Sequence, residues 1–145
     1  MNEIIEIYKH IYQDSEMSLS SLEELKKDLK DKDNKIKNIL DDIIGGFTEY
    51  KKHSKKVLEK NNCELEETSF MGKMMANMGV KKEVLSDNSD SHMADLLIQG
   101  ISMGSINMEK KLHDYEDKLP DEDYEYAKDF LEFEQEKIEE LKKYL

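Results

Sequence analysis

Residues 119–145 read LPDEDYEYAKDFLEFEQEKIEELKKYL, and this stretch decides the fold. Leu119-Pro120-Asp121 turns the chain, with Pro suited to the first turn of a helix. Beyond it, Tyr124, Ala127, Leu131, Glu134, Ile138, Leu141 and Leu145 recur at spacings of three and four, which puts them on one helical face. Glu134 is the single acidic residue at a core position of that face.

The preceding stretch, about residues 91–117, carries Leu97, Ile101, Gly104, Met108, Leu112 and Tyr115 in the same rhythm. Met93, Leu96, Gly100 and Met103 add a second apolar row, so this helix is expected to be the most buried. Nearer the N-terminus, about residues 2–31 place Ile4, Tyr8, Ile11, Ser15, Ser18, Leu22, Leu25 and Leu29 on one face, widened by Ile5, Tyr12 and Leu19. Asp31-Lys32-Asp33-Asn34 breaks that pattern, and Asp33 or Asn34 is suited to cap the next helix. About residues 34–61 then align Ile36, Leu40, Ile43, Phe47, Tyr50, Ser54 and Val57, with Leu58 widening the far end. Residues 62–90 have no single long period; Phe70 to Met78 is expected to form a short amphipathic helix, and Ser86 to Ser91 is loop and cap chemistry.

The expectation is an all-α, single-domain four-helix bundle built from two antiparallel hairpins. Each helix is about 40 Å long, and a connection of this length can run the full height of the bundle, giving hairpin, long crossover, hairpin.

Composition agrees and prunes functions. The chain has 145 residues, one Pro, one Cys and no Trp. With one Cys no internal disulfide forms. The longest apolar runs are too short to span a membrane. The start of the chain has neither a basic nor an apolar leader region, so the cytoplasm is the default location. Lys+Arg is 22, Asp+Glu is 34 and the net charge is −12, with every basic residue a Lys. That balance repels phosphate backbones and anionic membranes, so no nucleic-acid partner is expected. An AT-rich coding bias also accounts for the missing Arg.

Antiparallel partners sum to a near-constant number, about 63 in the first hairpin and about 238 in the second. Ser18 then faces Gly45, Ser15 faces Thr48, Gly104 faces Glu134 and Gly100 faces Ile138. Both hairpins are small or polar at mid-height. Three readings of Glu134 follow: a core-edge carboxylate reaching water, Lys137 or Lys111; a member of a polar network with Ser15, Ser18, Tyr50 or Asn107; or a metal ligand.

The run Asp87-Asn88-Ser89-Asp90-Ser91-His92-Met93-Ala94-Asp95-Leu96-Leu97-Ile98-Gln99-Gly100-Ile101-Ser102-Met103-Gly104, with the closing Phe133-Glu134-Gln135-Glu136-Lys137-Ile138-Glu139-Glu140-Leu141, resembles the ferritin-like superfamily. More narrowly, it resembles small uncharacterised ferritin-like proteins of Gram-positive anaerobes. The resemblance covers nearly the whole chain in architecture and little in motif. It implies ferritin-like connectivity and, in functional members, two irons or manganeses held by a Glu from each of two helices and a Glu-x-x-His pair from each of the others. No Glu-x-x-His occurs in this chain. Lys137 stands where the fourth helix would carry His, and Glu49 and His53 are four apart. At best Glu16 and Glu134 match the pattern, with Glu49 and His53 as further candidates if Fe or Mn is bound.

Weaker signals complete the inventory. His10 and His53 fall on adjacent turns of the first hairpin and, with Glu49, compose a borderline surface metal set; two solvated histidines are the plainer reading. Met71, Met74, Met75 and Met78 give Met-x-x-Met spacings suited to Cu(I), near Cys63, although Met packing is the commoner use. Acidic neighbours make Cys63 a poor thiolate. Tyr124, Tyr126, Tyr144, Phe130 and Phe133 exceed one core stripe, which points to self-association, most simply a homodimer.

The functional expectation is therefore a non-catalytic cytoplasmic binding or structural module with no cofactor and no intact di-iron site. The alternatives are a di-metal carboxylate protein of iron-oxidising or peroxide-handling type and a Cu(I)-handling protein.

Overall fold

The computed structural model describes residues 2–65, 87 and 89–145. Among these there is no strand, and four helices carry the fold: α1 (Asn2–Asp28), α2 (Lys37–Lys60), α3 (Asp90–Tyr115) and α4 (Asp121–Lys142). No helix among the described residues is long and apolar enough to cross a membrane. The short helix expected within residues 70–78, and the Met spacings it would carry, lie outside the described residues.

Contacts set the helix directions. Tyr8 Oη donates to Asp123 Oδ1 at 2.8 Å, so α1 and α4 start at the same end. Lys137 Nζ, late in α4, donates to Asp42 Oδ2, early in α2, at 2.7 Å, so these two helices oppose. Asp90 opens α3 and meets the start of α2: its carboxylate accepts from Asn34 Nδ2 and Lys35 N at 3.0 Å and from Ile36 N at 3.3 Å. Thus α2 and α3 begin at one end and run the same way. Each is antiparallel to its hairpin partner.

The contact with Asp90 corrects the expected cap of α2. The N-cap residue is Ile36, not Asp33 or Asn34, and it makes no side-chain cap hydrogen bond. Asp90 fills that role from across the bundle, bringing negative charge to a helix N-terminus. Local sequence could not reveal this, because the acceptor is more than fifty residues away. Leu29 and Ile36 flank the turn and are fully buried, so the short loop is nailed to the core at both sides. At α3 the cap is local: Ser89 Oγ accepts from His92 N at 3.3 Å. Pro120 is the N-cap of α4 rather than its first helical residue.

The apolar faces read from periodicity form the core, including Ile11, Leu22, Leu40, Ile43, Phe47, Leu112, Ala127 and Leu141. Two details differ. The second row of α3 rotates outward beyond Met93: Gly100 is exposed and Met103 is 65% exposed. Hence α3 is not the most buried helix; its outer face also carries Ile106 at 53%. Leu145, expected on the α4 face, lies past the helix and is exposed.

Three of the five surplus aromatics, Tyr126, Phe130 and Phe133, make ring contacts inside the chain. Phe47 meets Phe133 edge-on at 5.0 Å between centroids, and Tyr50 meets Phe130 at 5.0 Å. Tyr126 stacks with Tyr8 at 5.8 Å and touches Tyr50 at 5.5 Å. These pairings clasp α4 to α2 and, through Tyr8, to α1. The ring of Phe133 lies over Gly46, where a Cβ would collide with it, whereas a Cβ at Gly45 meets nothing.

Gly46→Ala is expected to lower stability by about 1–3 kcal/mol through overpacking. Gly45→Ala is expected to raise it by about 0.5–1 kcal/mol, because it removes a mid-helix glycine at no steric cost. Urea unfolding of the two variants measures both.

Candidate functional site: a buried carboxyl pair at the bundle waist

Mid-height on α4, Glu134 is fully buried, and its partner is Asp14 of α1, which is 4% exposed. Asp14 lies one residue from Ser15 on the predicted α1 face, so its side chain enters the core from the edge of that stripe. Gly104 of α3 makes the space. A Cβ there would strike both carboxyl oxygens of Asp14. Three helices thus meet at one point, and the smallest residue sits where a carboxyl must pass.

Two ionised carboxylates cannot lie together in such a place. Burial disfavours each charge, and each charge disfavours the other. With both ionised, Asp14 Oδ2 and both Glu134 oxygens lack a protein hydrogen-bond partner among the described residues. One proton resolves this. Burial and the Asp14 carboxyl together push Glu134 far above the usual carboxylate range. Burial also raises Asp14, while the Glu134 hydrogen bond and His10 pull it back. One proton shared by the pair turns two orphaned acceptors into a donor and an acceptor.

His10, one turn before Asp14, completes the constellation. Its Nε2 lies 3.2 Å from the Gly104 carbonyl oxygen. A carbonyl only accepts, so Nε2 carries the hydrogen. Burial pushes the His10 pKa down, against the opposing pull of Asp14. The ring is thus held neutral as the Nε2–H tautomer.

The sequence candidates scatter. Glu16 is half-buried, but Asp14 is the residue that meets Glu134. Glu49 and His53 are exposed on α2. The His53 ring lies tilted against Tyr126 of α4 at 4.4 Å and Tyr8 of α1 at 6.1 Å between centroids, whereas His10 reaches the Gly104 carbonyl of α3. The two histidines consequently serve different seams.

None of the three readings of Glu134 named its partner. Lys137 is turned to Asp42 and Glu140, and Lys111 lies 3.9 Å from Glu6. The Ser15–Thr48 pairing also fails: Thr48 is exposed and donates to Ile44 O at 2.7 Å, while Ser15 is fully buried. Asp14 was missed because the row was drawn through Ser15, although Asp14, three residues after Ile11 and four before Ser18, fits the same rhythm. The available signal was a lone Asp among apolar and small neighbours in Ile11-Tyr12-Gln13-Asp14-Ser15. Cys63 is a free, half-buried thiol, 3.7 Å from Asn61 O.

A di-metal centre needs about four carboxylates and two imidazoles around the waist. This waist offers Asp14 and Glu134, an imidazole committed to a backbone carbonyl, and Phe47 on the α2 side, against Phe133. No group of three or more His, Cys, Asp or Glu suited to an ion occurs among the described residues. The donor set does not fit two irons or manganeses.

No protein-family model, curated protein or solved structure matches the chain.

Gly104→Ala is expected to destabilise by about 1–3 kcal/mol, since the methyl group displaces the Asp14 carboxyl; chemical unfolding reads it. Linkage sets the pH profile. A carboxyl raised in the folded state favours folding at low pH and loses that contribution as pH climbs from its unfolded value toward its folded one. His10, lowered, acts oppositely below its unfolded pKa of about 6.5. Above about pH 6.5 only the decline remains, with a limiting slope of about 1.4 kcal/mol per pH unit. Glu134→Gln is expected to flatten that decline and to raise the unfolding midpoint under mildly alkaline conditions.

Proposed function

We propose that this chain is a non-catalytic helical bundle of ferritin-like type, acting in the cytoplasm as a binding or structural module. The observation that carries this reading is the Asp14–Glu134 pair. At the height where ferritin-like enzymes gather metal ligands, these two carboxyls balance their charge with a proton. The single histidine beside them is spent on the Gly104 carbonyl. Two carboxyls without free imidazole donors make a weak dinuclear site, and neither carboxyl is exposed to a substrate. The net charge of −12 favours a protein partner over nucleic acid.

The test is metal analysis after anaerobic incubation of the full chain with Fe(II) or Mn(II), paired with thermal unfolding. Substoichiometric metal and an unchanged midpoint are expected. Two ions per chain with a raised midpoint would overturn the reading, because any ligand that binds the folded state stabilises it.

A further inference from the structure

The carboxyl pair joins the two hairpins, because Asp14 belongs to α1–α2 and Glu134 to α3–α4. Its surroundings offer no cationic neutraliser among the described residues. From α1 come His10, whose Nε2–H is given to the Gly104 carbonyl, and Ser15; Glu16, two residues beyond Asp14, points to another side of the helix. From α3 comes the Gly104 backbone, with Lys111 lying toward Glu6. On α4 the next inward charge is Lys137, held by Asp42 at 2.7 Å and Glu140 at 3.2 Å. On α2 the inward residues are Ile43 and Phe47, while its acidic Asp42 and Glu49 are exposed.

We propose that the Asp14–Glu134 pair is a proton-held latch between the two hairpins, closed while one proton is shared across the gap at Gly104 and opened when that proton is lost. In the closed form Glu134 donates to the Asp14 carboxylate. On opening, the proton passes to water or hydroxide and both carboxylates become hydrated. The bond formed and the bond broken are both O–H bonds, and no electrons are transferred. Other ties between the hairpins remain: Tyr8 to Asp123, Lys137 to Asp42 and the Asp90 cap of α2. Opening therefore begins at the waist rather than at the ends. The latch responds to alkaline pH, and His10 titrates below that range, so the two groups do not act together.

The experiment is backbone hydrogen exchange on the full chain between about pH 7 and pH 9.5, corrected for intrinsic exchange rates. The comparison is with the neutral, near-isosteric double variant Asp14→Asn/Glu134→Gln. In the wild type the opening constant of amides around Asp14 and Glu134 should rise by up to about tenfold per pH unit, the signature of one proton released on opening. In the double variant it should stay flat. A flat wild-type profile overturns the latch, as does an equal rise in the double variant. If the double variant does not fold, Glu134→Gln alone is the comparison, with the same expected and overturning results. Failure here leaves the metal question untouched, because that reading fails only if ions are bound.

Discussion

Everything at the centre of this bundle follows from one constraint: two carboxyl groups share a dry space too small for two charges. Asp14 is 4% exposed and Glu134 is fully buried. Removing an ionised carboxylate from water costs several kcal/mol, about the whole net stability of a small domain. The pair persists because one proton turns two repelling acceptors into donor and acceptor. Gly104 is then required, since any side chain there would occupy the place of the Asp14 carboxyl. His10 is in turn positioned by the Gly104 carbonyl, so one small residue serves both sides of the site.

Around this polar waist the remainder of the fold is held by apolar and aromatic packing. Leu22, Leu29, Ile36 and Leu40 close the loop end of the first hairpin, all nearly or fully buried. The Phe47, Tyr50, Phe130, Phe133 and Tyr126 cluster binds α2 to α4. Such packing is strong but tolerant of small rotations. The carboxyl pair and the Asp90 cap are directional contacts of a different kind.

Much of the architecture was legible in the chain. Spacings of three and four located all four helices to within a few residues, because a helix must present an apolar stripe to survive in water. Glu134 stood out as a core position with the wrong chemistry, and Gly104 as the space opposite. The partner did not. Asp14 reads as a helix-edge residue, and its one local mark, an Asp beside Ile11, Tyr12 and Ser15, does not say what it meets. The sequence candidates Glu16, Glu49 and His53 were chosen by their fit to a ligand pattern, and the tertiary structure distributes them over separate faces.

The amino-acid sequence by itself determined helix content, the apolar faces and the two short turns, since these depend on neighbours three or four residues apart and on local backbone chemistry. Tertiary structure alone decided which acidic residue meets Glu134, that Asp90 rather than Asp33 or Asn34 caps α2, and that the outer row of α3 stays in solvent. The physical reason is the same in each case. A few degrees of helix rotation determine whether an edge residue turns inward, and that rotation is set by side chains from distant parts of the chain.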